Sequence, residues 1–204
     1  MHGARQGKVC AECNPGFQFR GEKSEMLRSV LKFGVLGGVV IAVLMSATMP
    51  FAEKIGYNKA LFVGYSTMVL SFLMVYFGVR SYREKACGGK ITFARALGVG
   101  TLIMLITCFF YVATWEVIYY FFMPDFFDQY GARAMAKARA AGASEAELAK
   151  QAASVAAMKQ MYRNPLINAA MTVLEPLPVG LVMALLSAVL LRRREKAAQA
   201  APVS

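Results

Sequence analysis

Histidine and tryptophan are almost missing from this chain, acids are scarce, and cysteines are few. The 204 residues hold one histidine, His2, one tryptophan, Trp115, four cysteines, and 12 acidic residues against 23 basic ones. With its only histidine beside the N-terminus, the chain assembles neither a Ser/His/Asp set nor an H-E-x-x-H metal helix. Gly88-Gly89-Lys90 lacks the flanking Gly-x-x-x-x-Gly-Lys spacing of a phosphate loop and reads as a turn. No aspartate pair lies in an apolar block. These absences argue against an enzyme, and no cofactor is expected. The cysteines are Cys10, Cys13, Cys87 and Cys108. Three fall in segments assigned below to the cytoplasm and the fourth in an apolar block, which excludes a disulfide framework. Cys10-Ala-Glu-Cys13 supplies two thiolates where structural zinc takes four ligands, and no histidine follows Cys13 as haem attachment requires. No metal site is expected.

What the chain has in abundance is apolar residues, 57% of the total. They are pooled into four long blocks separated by charged stretches, the pattern of a membrane protein. The net charge of +11 collects beside these blocks, without the basic and aromatic interleaving of a nucleic-acid groove. The lipid bilayer is therefore the expected partner. The blocks cover residues 30–49, 60–79, 93–122 and 165–191. The first carries Gly34-x-x-x-Gly38, a small-residue face that lets helix backbones approach, here read as bundle packing rather than a dimer motif. The short connection after it makes the first two helices antiparallel neighbours. The third block is longer than a hydrocarbon core of about 30 Å requires, and its end is aromatic: Tyr111, Trp115, Tyr119, Tyr120, Phe121 and Phe122. That end reads as an interfacial belt. Asn164 is a candidate N-cap for the fourth block, with Pro165 at its first position.

Orientation follows from the basic flanks. Arg80, Arg83, Lys85 and Lys90 lie between blocks two and three, Arg192, Arg193, Arg194 and Lys196 after block four, and Arg20, Lys23 and Arg28 before block one. In a four-crossing topology these share one side, so both termini are expected in the cytoplasm of a cell with this protein in its inner membrane. The same residues are candidates for contact with anionic lipid headgroups. The connection 123–164 is too long for a structureless loop and reads as two helices. Pro124 and Asp125 start the first and Gly142 ends it. Ser144 and Glu147 form a capping box for the second, whose narrow apolar stripe is Leu148, Val155, Met158 and Tyr162. The expected architecture is all-α: four transmembrane helices with an extracytoplasmic helical hairpin between the third and fourth.

The chain from 26 to 194 resembles a family of bacterial membrane proteins known only as a domain of unknown function, family four-one-nine-nine. The resemblance rests on Leu31-Lys32-Phe33-Gly34, on Arg80-x-x-Arg83 followed by Gly88-Gly89-Lys90-Ile91-Thr92-Phe93, on Pro124-Asp125-Phe126, and on Asn164-Pro165-Leu166 leading to Glu175-Pro176 and Pro178-Val179-Gly180-Leu181, in that order. It implies a four-helix membrane protein and carries no activity. Residues 1–25 stand outside it. They read as a disordered cytoplasmic tail, with natural translation starting at Met26 as a second reading. Residues 195–204 read as a cytoplasmic tail.

Two acids, Glu116 and Glu175, lie inside apolar blocks, where a carboxylate is costly and needs a reason. Glu175 is followed by Pro176 and Pro178, each of which removes a backbone donor and clashes with the carbonyl four residues earlier. A kink is expected there, with the carbonyls of Thr172 and Leu174 short of partners. A broken helix beside a carboxylate is how transporters build ion sites. Glu175 with Glu116 is thus the candidate proton or cation site, with the two acids meeting across a cavity. The competing reading gives Glu175 a hydroxyl partner on a neighbouring helix. Two functions follow: a structural or accessory membrane protein that packs with itself or a partner, and a small ion-coupled transporter acting as an oligomer.

Overall fold

A computed structural model describes residues 15–49 and 57–192, with the side chains of 15–22, 57, 58 and 60 outside the description. Every regular element among the described residues is a helix. They are α1 (Pro15–Thr48), α2 (Tyr57–Ala86), α3 (Phe93–Val117) continued by a π-helical turn (Ile118–Phe122), α4 (Phe126–Ala140), α5 (Glu145–Tyr162), α6 (Pro165–Val173) and α7 (Pro176–Leu191). Among the described residues, four stretches are long and apolar enough to cross a membrane: Lys23–Thr48, Leu61–Ala86, Phe93–Phe122 and Pro165–Leu191, the last comprising α6 and α7. The first two spans run further than the apolar blocks alone suggest, because flanking polar turns continue the helix. In particular α1 starts at Pro15, so residues 15–25, expected as disordered tail, are its first turns. Cys10 and Cys13 lie outside the described residues.

Small residues bring the helices together. α1 packs on both α2 and α3. A Cβ at Gly34 would meet Ile106, one at Gly37 would meet Thr107, and one at Gly38 would run into the Phe110 ring. The Gly34-x-x-x-Gly38 face is therefore occupied within the chain by α3. Gly78 admits Ile103 and Phe33, and Gly180 admits Met104 and Phe72. The core runs through Phe72, Val75, Val79, Ile103, Met104 and Ala184, all fully buried. Because lipid offers no hydrophobic drive between helices, this close backbone approach, with its dispersion contacts, is what holds the bundle.

The charged ends are ordered by local chemistry. α2 ends at a turn with Gly88 and Gly89 at φ 55° and 83°, where glycine alone is comfortable, and the Gly89 N–H donates back to the Arg83 carbonyl at 2.9 Å. The Arg83 guanidinium reaches the Leu191 carbonyl at 3.5 Å, setting a cation on the last turn of α7. α5 carries the expected capping box: the Glu147 N–H donates to Ser144 Oγ, and the Ser144 N–H donates to Glu147 Oε2 at 2.8 Å. The Ser144 N–H, and then the Ser144 hydroxyl donating to the same Oε2 at 2.9 Å, hold the Glu147 carboxyl below the usual carboxylate range. α4 and α5 lie against each other, tied by Lys159 Nζ to Asp128 Oδ2 at 2.7 Å and by Gly131 against Val155. Of the expected stripe on α5, Leu148 is buried while Met158 is 40% exposed.

Candidate site at the break in the fourth span

The fourth span opens as the sequence requires: the Leu166 N–H donates to Asn164 Oδ1 at 2.9 Å, with Pro165 at the first helical position. It breaks where the prolines demand. α6 stops at Val173 and α7 restarts at Pro176, leaving Leu174 and Glu175 as a turn. The Thr172 carbonyl, expected to lack a partner, accepts the Glu175 N–H at 3.3 Å. The correction has a simple cause: the chain tightens into an i→i+3 turn and so satisfies the group the proline ring cannot.

At this break, side chains of α3 face those of the fourth span. Tyr111 Oη donates to Glu175 Oε2 at 2.7 Å. One turn along α3, Trp115 Nε1 donates to Asn168 Oδ1 at 3.1 Å, and Thr172 Oγ1 donates to the same oxygen at 3.1 Å. Indole nitrogen is only a donor, so the amide oxygen must face it, and the opposite amide orientation is excluded. The Asn168 amide nitrogen is then left enclosed and without a partner among the described residues. Asn168, Thr172 and Glu175 follow at i, i+4 and i+7, one stripe on the fourth span. Tyr111 and Trp115, at i and i+4, are its counterpart on α3.

The two acids part company here. Glu175 is bonded to Tyr111 rather than to Glu116. Glu116 follows Trp115 by one residue and so lies about 100° around α3 from the facing stripe. It is half-buried, with Oε1 enclosed and unbonded among the described residues. Glu175, expected inside a cavity with Glu116, is instead exposed. It lies in the turn between α6 and α7, as the N-cap of α7.

The aromatic end of α3 also divides. Tyr111 and Tyr119 are buried and Trp115 half-buried, while Phe121 and Phe122 are 78% and 75% exposed. The inward rings form a cluster with α4 and α5: Trp115 on Phe126, Tyr119 on Phe127 and Tyr162, and Phe127 on Tyr162 with centroids 4.9 Å apart. Tyr120 Oη donates to the Tyr162 carbonyl at 2.9 Å. The π-helical turn is closed by Met123 N–H to the Ile118 carbonyl at 2.9 Å, and within it the Tyr119 and Tyr120 rings meet edge to face with centroids 5.0 Å apart. Burial, and then the nearby Glu175 carboxylate, push the Tyr162 phenol above its ordinary range.

At the opposite end of the bundle, Arg80 pairs with Glu84 at 3.0 Å, while Lys85 and Arg192 are exposed. Arg83 is mostly covered by its contact with α7, so it fastens two helices as well as carrying charge. Arg193 and Arg194 lie outside the described residues. Sequence reasoning did not single out Asn168 or the pairing of Tyr111 and Trp115 with the fourth span. A polar residue at position 168, one and two turns before Thr172 and Glu175, was the available signal.

Four membrane-length apolar helices, small-residue packing and a polar stripe at a proline break define a multi-pass α-helical membrane protein. The chain belongs to the family described as Protein of unknown function (DUF4199), whose model matches residues 32–193. No curated protein and no solved structure matches it.

Proposed function

We propose that this is a structural or accessory protein of an inner membrane, with both termini cytoplasmic and α4 and α5 forming an extracytoplasmic helical hairpin over the bundle. The observation that carries the reading is that three hydrogen bonds between polar groups inside the spans join one helix to another. Tyr111 with Glu175, Trp115 with Asn168, and Thr107 Oγ1 with the Gly34 carbonyl at 3.4 Å all join separate spans. The basic ends support the orientation, with Lys85 and Arg192 free to meet anionic headgroups. The reading is non-enzymatic and rests on the sequence's want of a catalytic constellation. Long apolar faces such as Leu166, Leu174, Val182 and Leu190 suit lipid, a second copy or another membrane protein. Crosslinking in native membranes followed by mass spectrometry tests this: recovery of a defined complex is expected, and a lone, uncrosslinked chain sinks the accessory role.

One observation favours a second reading, an ion- or proton-coupled protein acting as an oligomer. Glu175 sits at a helix break and stays exposed within an apolar span, where an acid costs about 2.5–3.5 kcal/mol at the centre of a helix. A cost of that size is retained where it serves something. Proteoliposome flux that is the same for wild type and E175Q removes this reading.

A further inference from the structure

The proline break that holds Glu175 also opens a crevice on α2. Below the break α2 packs along α7, and above it α2 hardly touches α6. Phe72 seals the lower end, since its ring edge lies 3.0 Å from where a Gly180 Cβ would stand. Tyr65 is seven residues before Phe72 on the same face of α2, about 10 Å further up. Glu175 is five residues before Gly180, about 7 Å up the facing helix. Tyr65, 48% exposed, therefore stands near the level of Glu175, where α6 has left α2. Tyr111 closes the back of this gap through its bond to Glu175, and both Tyr65 and Tyr162 lie within its electrostatic reach. The rim is apolar, with Leu174 61% exposed beside the acid.

We infer that this crevice between α2 and the α6–α7 break binds a lipophilic organic cation, an ammonium or phosphonium with apolar substituents, on Glu175 and the faces of Tyr65 and Tyr162. The inference rests on the ion-coupled reading above and names its cargo. One carboxylate supplies the counter-charge, phenol rings attract a cation over their faces, and apolar walls suit its substituents. A hard metal ion fits poorly, because it takes about six or more oxygen ligands and the neighbouring oxygens are engaged. Asn168 Oδ1 already accepts two hydrogen bonds, the Thr172 carbonyl accepts one, and Glu175 Oε2 is held by Tyr111.

The test uses the full chain in lipid nanodiscs with tetraphenylphosphonium as the probe. Saturable binding is expected, undisturbed by a hundredfold excess of sodium, with affinity lowered about tenfold or more in E175Q and about tenfold in Y65L but hardly in Y65F. E175Q keeps an amide oxygen for Tyr111, and thermal melts of each variant establish that it is folded. Infrared spectroscopy on the same samples follows the Glu175 carboxyl band against pH and sodium, E175Q assigning it. Of the titratable groups around it, Tyr111 on α3 is bonded to it and Tyr162 on α5 lies in its field, while Tyr65 on α2 interacts with Tyr111. If the phosphonium fails to bind, or binds E175Q or Y65L as well as wild type, the organic-cation assignment is overturned. Should the carboxyl band still respond to protons or sodium, the ion-coupled reading stands without it. If the band is also inert, both fall.

Discussion

A single indole reports on the polar stripe. Trp115 is the only tryptophan, and its one ring nitrogen is bonded to the fully buried Asn168. N168A removes the acceptor shared by Trp115 and Thr172 and leaves the indole donor buried without a partner. A loss of about 2–3 kcal/mol is expected, read as a lower melting temperature together with a shift in tryptophan emission. An unchanged emission spectrum contradicts the assigned bond. Y111F isolates the other bond of the stripe. It deprives Glu175 of its donor at a cost of about 1–2 kcal/mol, measured by melting in a fixed detergent, whereas E175Q costs less because an acceptor remains. Equal losses in the two variants indicate that the hydroxyl contributes nothing specific.

Between elements, glycine decides how closely helices approach. G38A places a methyl against Cβ and Cγ of Phe110, atoms that turning the ring does not move away, and should cost about 1–3 kcal/mol. Gly98 faces open space on α3, so G98A is the internal control and should be neutral or stabilising by up to about 1 kcal/mol. A melt in which the two substitutions behave alike argues against the α1–α3 seam. The start of α5 depends on pH. Because the folded Glu147 carboxyl titrates below its unfolded value, its contribution is present above the ordinary carboxylate pKa and is lost as pH falls through the depressed folded value. Hydrogen exchange in the first turn of α5 should therefore accelerate on acidification through that window, and S144A should already exchange quickly at neutral pH. Exchange that ignores pH in wild type removes the capping argument.

On the scale of the whole molecule, the bundle is closed at one end by Arg83 on α7 and at the other by the rings that join α3 to α4 and α5. The break in the fourth span lies on the aromatic side. Orientation is the property with the most direct test. Ala141 is exposed between α4 and α5, and A141C in intact cells should react with a membrane-impermeant maleimide, while a reporter joined after Leu191 should be active only in the cytoplasm. A protected Cys at 141 combined with an external reporter inverts the proposed topology.

The four spans, the helical connection, its capping box and the proline break are all local in cause. Apolar run length, an S-x-x-E spacing and a missing backbone N–H act within a few residues, so they were legible in the chain. Family membership was legible for the same reason, since short apolar and turn motifs recur in order from Leu31 to Leu181. Which side chains meet was not. Rotation of one helix about its axis determines that Tyr111 and Trp115, not Glu116, face the fourth span, and an apolar block carries no signal of that rotation. Nor does the sequence say that α6 leaves α2 while α7 keeps it. That follows from where the break falls relative to the Phe72 and Gly180 contact, and Glu175, expected as an enclosed acid, is exposed there.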